Sequence, residues 1–167
     1  MVDFQTARPI SGAVVGFATS SGGSPSGSTA VTDANGQYSL PEPPGPSRYY
    51  FIVNNRSVGG GYPHGANKRA GDVAVDNGRC VTRYGMVLDR TTYLPIVDAR
   101  ILNLSNRVIA TTDRDGWYQF DFGCGVGSIG FNTTWVIATH PDYNSQNFSG
   151  GRGWSGVARD DVLLTHR

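Results

Sequence analysis

Apolar and polar positions in this chain recur at a period of two, or run together over four to six residues, and almost nowhere at helical spacing. Ala13-Val14-Val15-Gly16-Phe17 and Ala99-Arg100-Ile101-Leu102-Asn103-Leu104 alternate or run apolar over short spans. Tyr38-Ser39-Leu40 and Tyr118-Gln119-Phe120 keep strict alternation. Tyr49-Tyr50-Phe51-Ile52-Val53 and Thr134-Trp135-Val136-Ile137-Ala138 are β-branched and aromatic, the composition of buried strands. Trp135 and Trp117 are expected as core anchors. The pattern predicts an all-β protein of short strands joined by many turns.

A repeated motif punctuates these strands. Thr32-Asp33-Ala34-Asn35-Gly36-Gln37-Tyr38 returns as Thr112-Asp113-Arg114-Asp115-Gly116-Trp117-Tyr118. Each copy follows a Pro-Ile-x-x-Ala stretch, at Pro9-Ile10 with Ala13 and at Pro95-Ile96 with Ala99. Asn35-Gly36 and Asp115-Gly116 predict tight hairpin turns of type I′, because Asn, Asp and Gly tolerate positive φ. Asp33 and Asp113 are placed to cap those turns through backbone N–H groups.

The repeat divides the chain into two β-sandwiches, 1–78 and 79–167, with a short connection at Asp76-Asn77-Gly78-Arg79. The segment from Met1 to Ile10 aligns with the segment from Val87 to Ile96, 86 residues on, while the turns align 80 residues apart. The first copy therefore carries six extra residues, placed in the Ser/Gly-rich stretch Thr19 to Ser28. In the second copy the first strand can begin as early as Cys80; in the first copy it is a stub. Val2 and Phe4 then mark an edge open to strand addition from another chain.

This pattern resembles the carboxypeptidase regulatory-like family of transthyretin-like β-sandwiches, which lie near the immunoglobulin fold. The features are a first strand ending in Asp, then Pro-Ile-x-x-Ala, then Thr-Asp-x-Asn/Asp-Gly-x-Tyr. Trp135 to Tyr143 and Asp161-Val162-Leu163-Leu164 resemble the family's later strands, with Asp142 where the family carries Gly. The resemblance implies two tandem Ig-like, transthyretin-like Greek-key sandwiches. It also implies a non-catalytic accessory, adhesive or structural role.

Charge and composition narrow the partners. Charged residues are 16% of the chain, the net charge is +1, and the basic residues are scattered. Nucleic acid needs a concentrated basic face and is not an expected partner. No apolar run is long enough for a membrane span. Met1-Val2-Asp3 does not open a signal peptide.

The chemistry-bearing residues point to no enzyme. Asp113-Arg114-Asp115-Gly116 opens like a calcium loop, but the position for its bidentate Glu is Cys124; the same test from Asp33 lands on Pro44. His64, His140 and His166 stand in unrelated contexts. No catalytic residue, metal ligand or cofactor is expected. Cys80 and Cys124 are a candidate disulfide if the protein is secreted, and free thiols if it is cytoplasmic. Tyr143, Arg152 and Trp154 are candidate glycan contacts on loops. Asn55, Asn103, Asn132 and Asn147 open Asn-x-Ser/Thr sequons.

The expected function is a structural or adhesive module of an extracellular assembly: a virion decoration or fibre protein, or a surface filament subunit. Its partners are proteins, its own copies included, and its place is a virion or cell surface. Two other readings stay open, a carbohydrate-binding accessory module and an accessory domain of a larger secreted enzyme.

Overall fold

The structure, a computed structural model, describes residues 1–3, 6–20, 24–41, 48–62, 73–75, 80–124, 135–149 and 157–167. All regular structure among them is strand, and no helix is long and apolar enough to cross a membrane. The chain divides into two compact units, one of Met1–Asn77 with Val157–Arg159, the other of Gly78–Gly156 with Asp160–Arg167. The predicted connection at Asp76 to Arg79 lies outside the described residues.

The first unit holds β1 (Val2–Asp3), β2 (Val14–Ala18), β3 (Thr29–Val31), β4 (Tyr49–Val53), β5 (Arg56–Gly61) and β6 (Ala74–Val75). Four of them run in the order β3-β2-β4-β5, antiparallel throughout. β1 and β6 form a separate parallel pair. Phe51 and Val53 face a core with Ala13, Tyr49 and Val73, and Val15 is fully buried. Phe17, Tyr49 and Phe51 meet edge to face, with centroids 4.8 to 5.5 Å apart. Burying Phe51 completely contributes about 2–3 kcal/mol.

The second unit holds β7 (Cys80–Asp89), β8 (Arg100–Leu102), β9 (Val108–Thr111), β10 (Trp117–Cys124), β11 (Trp135–His140), β12 (Tyr143–Ser149) and β14 (Val162–His166). Between β12 and β14, β13 (Val157–Asp160) gives its first three residues to the first unit and Asp160 to the second. The order β14-β12-β11-β8-β9 makes one sheet. β7 pairs antiparallel with β10 over its first part and parallel with β14 over Val87–Asp89. Val87, Ile101, Val136, Ala138 and Leu164 are fully buried at the centre of this unit.

Both units build the same corner at matched residues. Val2 bridges Pro9, and Leu88 bridges Pro95. Ala7 and Tyr93 take φ of 53° and 57°. Asp3 Oδ1 accepts the Thr6 N–H at 2.9 Å, and Asp89 Oδ1 accepts the Thr91 and Thr92 N–H groups at 2.8 Å. The Ala13 and Ala99 N–H groups donate to the buried hydroxyls of Thr32 and Thr112.

Three expectations change. The Asn35-Gly36 and Asp115-Gly116 turns are not type I′, since only the glycines have positive φ, 69° and 76°. The Gly36 N–H donates to the Asp33 carbonyl, and the Asp33 N–H to the Gln37 carbonyl; Gly116, Asp113 and Trp117 repeat this. That is a type I turn closed by a left-handed glycine. Positive φ at two successive residues occurs instead at Asn54-Asn55, which join β4 to β5. Tyr38-Ser39-Leu40 lies outside the strands, whereas Tyr118-Gln119-Phe120 is in β10. β10 has β7 as its ladder partner; β1, at the matching place, spans only Val2–Asp3. Trp135 is 49% exposed, because alternation along β11 turns Val136 and Ala138 inward; Trp117 is buried, stacked on Tyr84 at 6.0 Å.

Candidate functional site

The two Thr-Asp corners commit their polar groups to the backbone. Asp33 Oδ1 accepts the N–H groups of Asn35 and Gln37, both at 2.8 Å. Asp113 Oδ1 accepts those of Asp115 and Trp117, both at 2.9 Å. The same turn occurs a third time between β8 and β9. Asn103 Oδ1 accepts the Ser105 and Arg107 N–H groups at 3.0 Å, and Asn106 takes the left-handed place with φ of 58°. The signal, Asn or Asp followed three residues later by Gly or Asn, was present in the sequence but masked there by the sequon beginning at Asn103. Among the described residues, no three His, Cys, Asp or Glu side chains gather as metal ligands.

A group of titratable side chains gathers in the second unit, at Tyr143. Its ring is met edgewise by His140, at 5.4 Å, and by His166, at 5.0 Å. The Asp89 charge acts on its hydroxyl. Asp89, buried at the end of β7, accepts the Thr91 N–H and both the N–H and hydroxyl of Thr92. The Thr92 N–H above all, with the other donors, holds the Asp89 carboxyl below the ordinary carboxylate range, against the opposing effect of burial. Burial, then the charge and hydrogen bond of Asp89, then the charge of Asp142, push the Tyr143 phenol up.

This constellation ties the C-terminal residue to the turn between β11 and β12. His140 Nδ1 accepts the Asp142 N–H at 3.2 Å, with the Asp142 carboxylate 3.7 Å away. Arg167 Nε donates to the Tyr143 carbonyl at 3.1 Å. Asp89 acts as a cap for the 89–92 turn. Sequence reasoning missed this role, although the repeated Asp3 and Thr6, Asp89 and Thr92 spacing carried it.

The other predicted positions fall as follows. Tyr143, a candidate glycan contact, is held between two imidazoles and a carboxylate; Arg152 and Trp154 lie outside the described residues. Val2 sits in β1, where its N–H donates to the Val73 carbonyl at 3.1 Å; Phe4 lies outside the described residues. Cys80 and Cys124 stand at opposed register positions of β7 and β10. Asn55 and Asn103 are turn residues, Asn147 is exposed in β12, and Asn132 lies outside the described residues. Of the Thr19 to Ser28 insertion, Ser26 is hydrogen-bonded back to β2, its N–H on the Phe17 carbonyl at 2.7 Å.

Exposed apolar side chains mark the remaining surface of interest. β3 is the terminal strand of the β3-β2-β4-β5 order, and Val31 on it is 62% exposed. Its register partner on β2, Val14, is exposed too. β9 ends the sheet of the second unit and carries exposed Val108.

No protein-family model matches the sequence, and no curated protein matches it. Among solved structures, the chain is similar to the shaft pilin SpaA of Lactobacillus rhamnosus GG, with 13% identity, a TM-score of 0.36, and coverage of 97% of this chain and 90% of that one. It is similar to GBS52, a minor pilin of Streptococcus agalactiae, at 10% identity and a TM-score of 0.32, over 98% of this chain and 86% of the other. It is also similar to the Bacillus anthracis TIE protein, at 14% identity and a TM-score of 0.33, over 97% of this chain but only 32% of that protein's length. Likeness at this level transfers neither a residue's role nor a partner; the chain itself is an all-β, sheet-rich protein.

Proposed function

We propose that this chain is a non-catalytic structural or adhesive module of an extracellular assembly on a virion or cell surface, built as two tandem sandwiches. The observation that carries this reading is the β3 edge. An edge strand presents unpaired backbone groups, and proteins that stay monomeric blunt such edges with charge or proline. Here the edge carries Val31, 62% exposed, beside exposed Val14 on the neighbouring strand. An apolar edge of this kind suits strand-to-strand contact with another protein surface. The matched corners support the same reading, because their Asp and Thr side chains hold turns in shape rather than face a substrate.

The test is self-association of the full chain. Sedimentation velocity across a wide concentration range is expected to show reversible assembly, weakened at least tenfold by Val31→Lys, with the fold kept by circular dichroism. A strict monomer at every concentration, or assembly unaffected by Val31→Lys, overturns the reading.

A further inference from the structure

The ladder between β7 and β10 runs in regular register from Met86 opposite Trp117 to Thr82 opposite Asp121. It shifts between Asp121 and Cys124, and ends with Cys124 directly opposite Cys80. These are the only two cysteines in the chain. Opposed residues of an antiparallel pair have Cα atoms about 4.5–5.5 Å apart, and a disulfide spans about 4.4–6.8 Å between Cα atoms. The backbone thus brings the two cysteines to bonding range at the point where the ladder is irregular.

We propose that Cys80 and Cys124 form a cross-strand disulfide that closes the far end of the β7–β10 ladder. Each thiol gives up a proton and the two sulfurs join. The two electrons pass to an oxidised thiol couple such as glutathione disulfide, which leaves as two reduced thiols. The bond encloses residues 81–123, and with them β8, β9 and the Asp113 corner. A cross-link around a segment that long restricts the unfolded chain strongly. It also fastens the end of the ladder that the register shift leaves with the fewest regular pairs. The inference stands apart from the surface reading: a monomeric protein would defeat that one and leave this one intact.

The experiment uses the full chain equilibrated with oxidised and reduced glutathione, then denatured and alkylated with iodoacetamide before and after reduction. Expected are no alkylated cysteine before reduction, two after it, and a Cys80–Cys124 cross-linked peptide pair by mass spectrometry. Reduction is expected to lower the melting temperature by about 10 °C or more. The Cys80→Ser, Cys124→Ser double variant should melt near the reduced protein and ignore reductant. Two alkylated thiols in the oxidised sample, or cross-links only between chains, overturn the proposal. So does a double variant that melts with the oxidised protein. The peptide mapping decides the matter on the natural chain even where the variant fails to fold.

Discussion

The hydroxyl of Thr112 accepts the backbone N–H of Ala99 at 2.8 Å, and the same hydroxyl donates to the Ile96 carbonyl at 2.7 Å. Thr112 is 3% exposed and Ala99 is fully buried. One side chain therefore satisfies a buried donor and a buried acceptor on the segment that enters β8. Thr112→Val keeps the shape but leaves both backbone groups without this partner. The expected cost is about 2–4 kcal/mol, since each buried polar group left unsatisfied costs about 1–3 kcal/mol. Thr112→Ser, which keeps the hydroxyl, should cost about 1 kcal/mol or less. Urea denaturation of the three proteins checks the order, and a Thr112→Val midpoint equal to wild type would show the hydroxyl to be dispensable.

The turn glycines separate backbone strain from lack of space. Gly12, Gly36 and Gly116 all have positive φ, from 69° to 76°. A Cβ at Gly12 would meet nothing within 4 Å. At Gly36 it would lie 2.2 Å from the Met1 carbonyl oxygen, and at Gly116 2.7 Å from Pro95 Cβ. Gly12→Ala should therefore cost only the left-handed penalty, about 1–2 kcal/mol. Gly36→Ala and Gly116→Ala should cost clearly more, about 3 kcal/mol or above, because backbone or proline must also move. Thermal unfolding of the three variants tests the ranking; equal losses would mean that the corners yield freely.

The corners were legible in sequence because their geometry is local. Thr-Asp-x-x-Gly encodes an Asp cap, a left-handed glycine and a buried threonine within five residues, so Asp33 and Asp113 could be assigned as caps directly. The turn type is not legible in the same way, because Asn35 and Asp115 tolerate positive φ without adopting it. β1 spans only Val2–Asp3, and Tyr38–Leu40, at the place that β10 fills in the second unit, lies outside the strands. The alternation of Tyr38-Ser39-Leu40 carried no information about whether a ladder partner existed. The Tyr143 cluster was illegible for a different reason. Asp89, His140, Tyr143 and His166 are gathered by pairing of β12 with β14 and of β14 with β7, which no local spacing reveals.

The coupling of Asp89 with Tyr143 predicts loss of stability at both ends of the pH range. The folded Asp89 carboxyl lies below its ordinary value, chiefly through the Thr92 N–H. Its contribution is then full above the ordinary aspartate value, about 4, and is lost as pH falls from there through the folded value. The Tyr143 phenol lies above its ordinary value, through burial and the Asp89 charge. Its contribution is full below about pH 10 and is lost as pH rises through the folded value. Denaturation midpoints measured across pH should fall at both extremes in the wild type. Asp89→Asn should be less stable at neutral pH and lose less on acidification, and Tyr143→Phe should lose less at alkaline pH. An acid limb as steep in Asp89→Asn as in the wild type would locate the sensitive carboxylate elsewhere.

The third turn offers a gain rather than a loss. Asn106 holds φ of 58° in the place that Gly36 and Gly116 fill in the other two turns. Its N–H donates to the Asn103 carbonyl at 2.9 Å, as theirs do to Asp33 and Asp113. Asparagine tolerates the left-handed region but glycine occupies it without a Cβ penalty. The turn is exposed, so no packing opposes the change. Asn106→Gly should raise stability by about 0.5–1 kcal/mol, partly offset by the larger entropy of glycine in the unfolded chain. Asn106→Val, β-branched and poorly suited to positive φ, should lower it by about 1–2 kcal/mol. Asn103→Ala removes the acceptor for the Ser105 and Arg107 N–H groups and should cost about 1 kcal/mol, as loss of a comparable cap does. Chemical denaturation of the set checks all three signs. An Asn106→Gly protein less stable than the wild type would mean that the asparagine side chain itself supports the turn.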